Sequence, residues 1–198
     1  MANSARPFGL KAISNDGICK FNRYFAPASL ASLGINTPVT LGGTSNSNNT
    51  TEGQLTPAGT MPTIAVATGG DGNALLGSIV GFEVIPTDLF KAGFNLASTA
   101  RIVYVADDVR QQFAIVDDGV SALAITDVGL NANLTVGTVD AFTNVDSSSL
   151  DTTTPASTST FQLKILSLLD EPGNEVDVFA TWKVQINNHV LANVTTGV

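Results

Sequence analysis

Two aspartate doublets, Asp107-Asp108 and Asp117-Asp118, are the residues of this sequence best suited to moving protons. Paired carboxylates serve as acid and base, or acid and nucleophile, when they stand about 5–10 Å apart. The segment between the doublets is apolar over residues 113–116, and 112–116 reads as a strand. At about 3.3 Å per residue it holds them roughly 20–30 Å apart, too far to act as a pair. They are expected as solvated turn and strand-end residues, where aspartate is favoured. Cys19 and His189, the sole cysteine and histidine, have the chemistry of a nucleophile and a base. Nothing local supports that pairing, and they read as a small apolar filler and a strand-end polar residue. A single cysteine forms no internal disulfide, and one Cys with one His is too few ligands for zinc. Oxygen ligands for calcium exist at either doublet, or at Asp170-Glu171 with Glu175 and Asp177, but no EF-hand spacing accompanies them. Gly69-Gly70-Asp71-Gly72-Asn73 has the glycines of a phosphate loop without its Lys-Ser/Thr or following helix. It occurs once, so it is no calcium-binding repeat either, and it reads as a tight turn. No catalytic residue, metal or cofactor is therefore expected, and the chain is expected not to be an enzyme.

The elements that position these residues read as β. Short runs of Val, Ile, Thr and aromatics bounded by Gly, Pro, Asn or Asp mark strands at 38–41, 63–67, 78–85, 101–105, 112–116, 134–139, 161–168 and 178–187. In the last of these, Val178, Trp182, Val184 and Ile186 share one face and Thr181, Lys183, Gln185 and Asn187 the other, the period of a half-buried antiparallel strand. In 101–105 the alternation is blurred, as in a strand covered on both sides, and 106–111 reads as a hairpin turn returning through 112–116. Helical evidence is confined to a turn or two at 120–126 and one at 28–33. The fold expected is all-β, a single antiparallel β-sandwich or β-barrel, jelly-roll-like. Two stretches, 42–54 and 143–160, are rich in Ser, Thr, Asn and Gly and are expected as long surface loops. Residues 1–27 lack strand alternation and end in Pro27; they read as an extended arm preceding a domain over 28–198.

Composition bears on partners. Of the 198 residues, 43% are hydrophobic and only 13% charged, about half the usual charged share. A surface short of charge does little to keep copies apart, which suits a chain held in an assembly. The net charge of -8 is uneven: Arg6, Lys11, Lys20 and Arg23 near the start face only Asp16, while the rest is strongly acidic. That balance argues against nucleic acid, which needs clustered Lys and Arg. No apolar run is long enough to span a membrane as a helix, and the opening residues lack the apolar core of a signal peptide. The chain is expected to be made in the cytosol and to leave it only within a particle. Four Asn-x-Ser/Thr sites, at Asn48, Asn49, Asn133 and Asn193, are then not expected to carry glycans.

Several segments look familiar. Met1-Ala2-Asn3 followed by Arg6-Pro7-Phe8-Gly9-Leu10 resembles the start of a group of phage structural proteins of about this length. Arg101-Ile102-Val103-Tyr104-Val105-Ala106-Asp107-Asp108 with Gln112-Phe113 resembles that group's central Asp-Asp hairpin. Val128-Gly129-Leu130-Asn131-Ala132 resembles its Val-Gly-Leu-Asn-Ala turn. Lys183-Val184-Gln185-Ile186-Asn187-Asn188-His189, closing on Gly197-Val198, resembles its last strand. The chain thus resembles the capsid-associated cement or decoration proteins of tailed bacteriophages. The resemblance implies a virion protein on the outer capsid surface that binds the major capsid protein and itself, as a homo-dimer or homo-trimer on a local symmetry axis. The region before Pro38 and the two Ser/Thr-rich stretches depart from the group's pattern, so partner contacts there do not carry over.

The arm supplies the contact residues to be expected: Phe8, Leu10, Phe21, Tyr24 and Phe25 as apolar anchors, with Pro7 beside them and Arg6 to pair with a carboxylate. It docks either on its own body or on a neighbour. Other readings stay open: a head fibre, vertex or tail-tube subunit, or a surface- or carbohydrate-binding β-sandwich module. The last wants clustered exposed aromatics, yet Trp182 and Tyr104 both fall in expected strands. The major capsid protein itself would want a long spine helix, and no segment here supplies one.

Overall fold

The computed structural model describes residues 3–13, 19–47, 56–85, 93–153 and 155–192. Among them the chain is all-β: twelve strands and one short 3-10 turn, Ile125–Asp127. The strands are β1 (Lys11–Ile13), β2 (Asn22–Ala26), β3 (Pro38–Ser45), β4 (Pro62–Val66), β5 (Gly77–Phe82) and β6 (Arg101–Ala106), then β7 (Gln112–Val116), β8 (Asn131–Ala132), β9 (Leu134–Thr135), β10 (Ser149–Leu150), β11 (Leu163–Leu168) and β12 (Thr181–Ile186). Five of them close a barrel in the order β2-β4-β3-β5-β6. Five others form an antiparallel sheet in the order β1-β7-β12-β11-β8, and β9 pairs with β10. The barrel is antiparallel except at β2 and β4, which meet in parallel at Phe25 and Thr63.

The alternation in β12 does what its period implies. Trp182, Val184 and Ile186 are buried in the sheet's core beside Phe113, Ile115, Leu163 and Ile165, while Thr181, Lys183 and Gln185 stay half-exposed. Burying Trp182 and Phe113 is the largest single apolar contribution to that layer. In β6 only Tyr104 escapes burial: Val103 and Val105 face the barrel's core and Ala106 faces the sheet's. Gly77 marks where β5 meets β6 most closely, since a Cβ there would stand 1.9 Å from the Ala106 carbonyl oxygen.

Several expectations need correction. The first 27 residues are not an arm without strands. β1 pairs with β7, β2 closes the barrel against β6, and Leu10 is buried in the sheet's core. Burial of Leu10, Tyr24 and Phe25 offsets the entropy of ordering a segment whose alternation is too short to read. The Gly/Thr/Ser stretch beginning at residue 42 is partly strand: β3 runs on to Ser45 against β4, through an irregular register, with the Thr44 and Thr63 hydroxyls 2.8 Å apart. Residues 48–54 of that stretch lie outside the described residues, as do Asn48, Asn49 and Asn193. The second polar stretch is no simple surface loop. Leu150 and Ser148 are fully buried, and Asp146 and Thr152 nearly so. Their polar groups are bonded, the Asp146 carboxylate accepting from Ser148 N–H at 2.7 Å. Thr154 lies outside the described residues.

Strand ends move for identifiable reasons. The last strand begins at Thr181 rather than Val178 because Phe179 sits at φ +60°. Strand β9 stops at Thr135, and beyond it Ser148 and Ser147 hydroxyls accept from Gly137 and Thr138 N–H in place of a ladder. The helical turn expected at 28–33 is a tight turn instead, Leu30 N–H donating to Pro27, and Leu33 bridges Asn95 as a strand residue would.

Candidate functional site

The two doublets lie at opposite ends of β7, and their inner residues are consumed by structure. Asp117 is buried and accepts four hydrogen bonds: Gly119 N–H (3.0 Å) and Phe179 N–H (2.6 Å) on Oδ1, Ala180 N–H (3.0 Å) and Trp182 Nε1–H (3.3 Å) on Oδ2. Burial pushes its carboxyl up, and the N–H groups of Phe179 and Gly119 pull against that. This carboxylate pins the end of β7 to the start of β12. At the other end, Asp107 accepts from Tyr24 hydroxyl at 2.6 Å and from Asn22 Nδ2 on both oxygens. Burial, then the Asp107 carboxylate, drives the Tyr24 phenol far above its ordinary range.

Beside Asp107 opens a recess of about 450 Å³ lined by Lys20, Asn22, Asp107, Asp108, Val109 and Arg110 with Leu191. Its acids are engaged. Asp108 accepts from Arg110 N–H at 2.8 Å and faces Lys20 Nζ at 3.4 Å. The Arg110 N–H, then Lys20, holds its carboxyl below the usual range.

His189 is buried at 1% exposure; its Nδ1 accepts from Leu191 N–H at 3.0 Å, and its Nε2 has no hydrogen-bond partner among the described residues. Its backbone bridges Leu75, tying the end of the described chain to the approach of β5. Burial lowers its pKa, while the charges of Asp107 and Asp108 oppose that. Cys19 is half-buried against the sheet's core, and burial raises its thiol pKa, the reverse of an activated nucleophile. Among the described residues no three His, Cys, Asp or Glu side chains converge as a metal site.

A pH dependence follows from His189. The unfolded chain takes up a proton near the ordinary value of about 6.5, and the folded chain only at lower pH. The unfolded state therefore binds more protons in that window, so stability is complete above it and falls as pH falls through it. Urea midpoints are expected to drop between about pH 8 and about pH 5.5, a range in which histidine is the side chain that ordinarily titrates. His189→Gln should abolish the slope; an equal slope in that variant would assign it to another group.

The expected contact residues separate into two sets. Leu10, Tyr24 and Phe25 are buried in the chain's own cores and offer nothing to a partner. Arg6 and Pro7 are exposed, Phe8 is half-buried with Lys11 Nζ 5.9 Å from its ring, and Phe21 is 54% exposed, edge-on to Tyr104. Sequence reasoning missed the surface residue that stands out most, Phe142, at 94% exposure. Its only sequence signal is the Asp140 two positions earlier, an Asx-turn former. The Asp140 carboxylate accepts from Phe142 N–H at 2.7 Å and Thr143 N–H at 3.2 Å, and its carbonyl accepts from Asn144 N–H at 2.8 Å. Three hydrogen bonds to Asp140 brace the backbone of the tip while the ring stands in solvent. Compared with family models, curated proteins and solved structures, the chain finds no match to any of the three.

Proposed function

We propose that the chain is a virion structural protein of a tailed phage, which binds the outer capsid surface as a cement or decoration subunit and stabilises the shell. The observation that carries this reading is the surface. Phe142, Ile125, Val120, Phe21 and Leu96 are each more than half exposed on a chain with few charges. Large apolar side chains held out on ordered turns suit burial against another protein. The resemblance of four segments, in order along the chain, to phage capsid-associated proteins supports the same reading. Such a subunit acts by area alone, with about 1,200–2,000 Å² buried across a joint between capsid proteins for a stable contact. Repetition around a symmetry axis adds avidity.

The test is quantitative mass spectrometry on purified particles, paired with cryo-EM of the shell. Hundreds of copies, with density on the outer surface, is the expected result. A dozen copies or fewer would place the chain in a fibre, vertex or tail, and absence from the particle would overturn the virion reading.

A further inference from the structure

The outer face of the barrel carries two aromatic rings and an ion pair side by side. Along the neighbouring strands β2, β6 and β5, alternation sends Tyr24, Val103 and Val105 into the barrel's core and leaves Arg23 and Tyr104 outside. Arg23 stands directly opposite Tyr104 in the register of β2 and β6, and Gly81 stands opposite it in that of β5 and β6. Phe21, the residue just before β2, meets the Tyr104 ring edge-on, their centroids 5.6 Å apart at an interplanar angle of 77°. Spanning β6, the Arg23 guanidinium donates twice to the Glu83 carboxylate, from Nε and from one Nη, each at 2.9 Å. Gly81 leaves the floor beside Tyr104 open. A Cβ there would meet Tyr104 Cδ2 at 3.8 Å and no other atom of the described residues within 4 Å.

We infer that this face binds a neutral saccharide, with one pyranose ring resting on the aromatic pair beside Gly81 and its hydroxyl groups on the Arg23–Glu83 pair. A pyranose has a face of C–H groups, which pack on the electron-rich face of an aromatic ring. It also has a rim of hydroxyls, which accept from a guanidinium and donate to a carboxylate. The protein supplies both surfaces on directly opposed residues, Tyr104 and Arg23, whose Cβ atoms in such a pair stand about 5 Å apart. The ion pair is neutral as a unit, so it calls for no counter-charge on the ligand. A nucleotide phosphate would meet Glu83 on a chain of net charge -8, and nucleic acid wants clustered cations instead. Area argues against a protein partner at this notch. Phe21 is 54% exposed and Tyr104 less so, which leaves under about 200 Å² of open ring surface from rings of about 150–250 Å² each. A stable protein joint wants about 800 Å² a side. The clustered exposed aromatics that a carbohydrate-binding module wants are thus supplied by Phe21 and Tyr104, and not by Trp182, which is fully buried.

The binding belongs to the free chain and does not depend on the virion reading, so it is tested without particles. Saturation-transfer NMR of the full-length chain with maltohexaose, cellohexaose, mannohexaose and galactohexaose is expected to show saturable, millimolar binding of at least one. Phe21→Ala removes a wall of the notch, and Gly81→Val fills its floor with a side chain that suits a strand. Each should weaken binding by about 10-fold or more, as losing an aromatic contact does, with a urea midpoint close to wild type. Val176→Ser, which changes an exposed apolar residue in the turn before β12, should leave binding unchanged. A wild-type chain that binds none of the four sugars would overturn the proposal. Binding that survives both Phe21→Ala and Gly81→Val, or that falls equally in Val176→Ser, would overturn its assignment to this face. Loss with Phe21→Ala alone would overturn the seat beside Gly81.

Discussion

Asp117→Ala is expected to destabilise the chain by about 3–5 kcal/mol. Four N–H donors converge on this one buried carboxylate. Hydrogen bonds to a charged group are worth about 1.5–3 kcal/mol each, and donors left buried without an acceptor cost about 1–3 each. These contributions overlap, because all four serve one pin, so the total is well below their sum. The donors come from two places, the Gly119 turn leaving β7 and the Phe179–Trp182 segment entering β12, and the carboxylate caps the end of the ladder that pairs those strands. Phe179 is held in the left-handed region at φ +60°, an uncommon conformation for a bulky residue, and its N–H makes the shortest of the four bonds. Asp117→Asn keeps the shape but turns an amide NH₂ toward two of the donors, and is expected to cost about half as much. Urea denaturation of the three proteins decides the matter. An alanine variant within about 1 kcal/mol of wild type would mean that water replaces the carboxylate at no cost.

How much of this was legible beforehand differs by residue. The apolar face of β12 was readable because its period is strict over six residues and one side is solvated. Strand β7 was readable because Asp117 ends the apolar run of residues 113–116 and the polar turn of residues 106–111 precedes Gln112. The strands of the first 27 residues were not readable: β1 has three residues, and β2 alternates too briefly for a pattern. Their placement is settled by partners far along the chain, such as Ala114 for Lys11 and Val105 for Asn22, which no local window contains. The polar stretch at 143–160 misled for a different reason. Low apolar content there signals not solvent but a backbone whose bonds go to Ser, Thr and Asp side chains, as at Ser148 and Asp146. Phe142 could not be told from a core phenylalanine, since one apolar residue among polar ones carries no periodicity.

The second large effect expected is at Gln162, whose importance no pattern announces. Its side chain is fully buried and makes four hydrogen bonds: Oε1 accepts from Gly70 N–H and Leu134 N–H, each at 3.0 Å, and Nε2 donates to the carbonyls of Thr68 (2.8 Å) and Asn73 (3.0 Å). One amide thus fastens the glycine turn that leads from the barrel's β4 toward β5 onto β9 and the start of β11 in the sheet's half of the chain. Gln162→Leu keeps the volume and leaves two donors and two acceptors without their side-chain partner, the Leu134 N–H buried and the glycine-turn groups less so. At about 1–3 kcal/mol for each, and with some relaxation of the glycine turn, a loss of about 3–4 kcal/mol is expected. Gln162→Glu separates polarity from fit. Its carboxylate still accepts from Gly70 and Leu134 but faces two carbonyl oxygens with no proton to give, so it is expected to be destabilising near neutrality. Lowering the pH protonates it and restores one donor, so the deficit relative to wild type should shrink as pH falls. Amide hydrogen exchange at Gly70 and Leu134 should quicken in Gln162→Leu, whose amides lose their acceptor, and far less in Gln162→Glu, whose amides keep theirs. Equal quickening in both variants would mean that packing volume, and not the paired polar groups, holds the turn against the sheet.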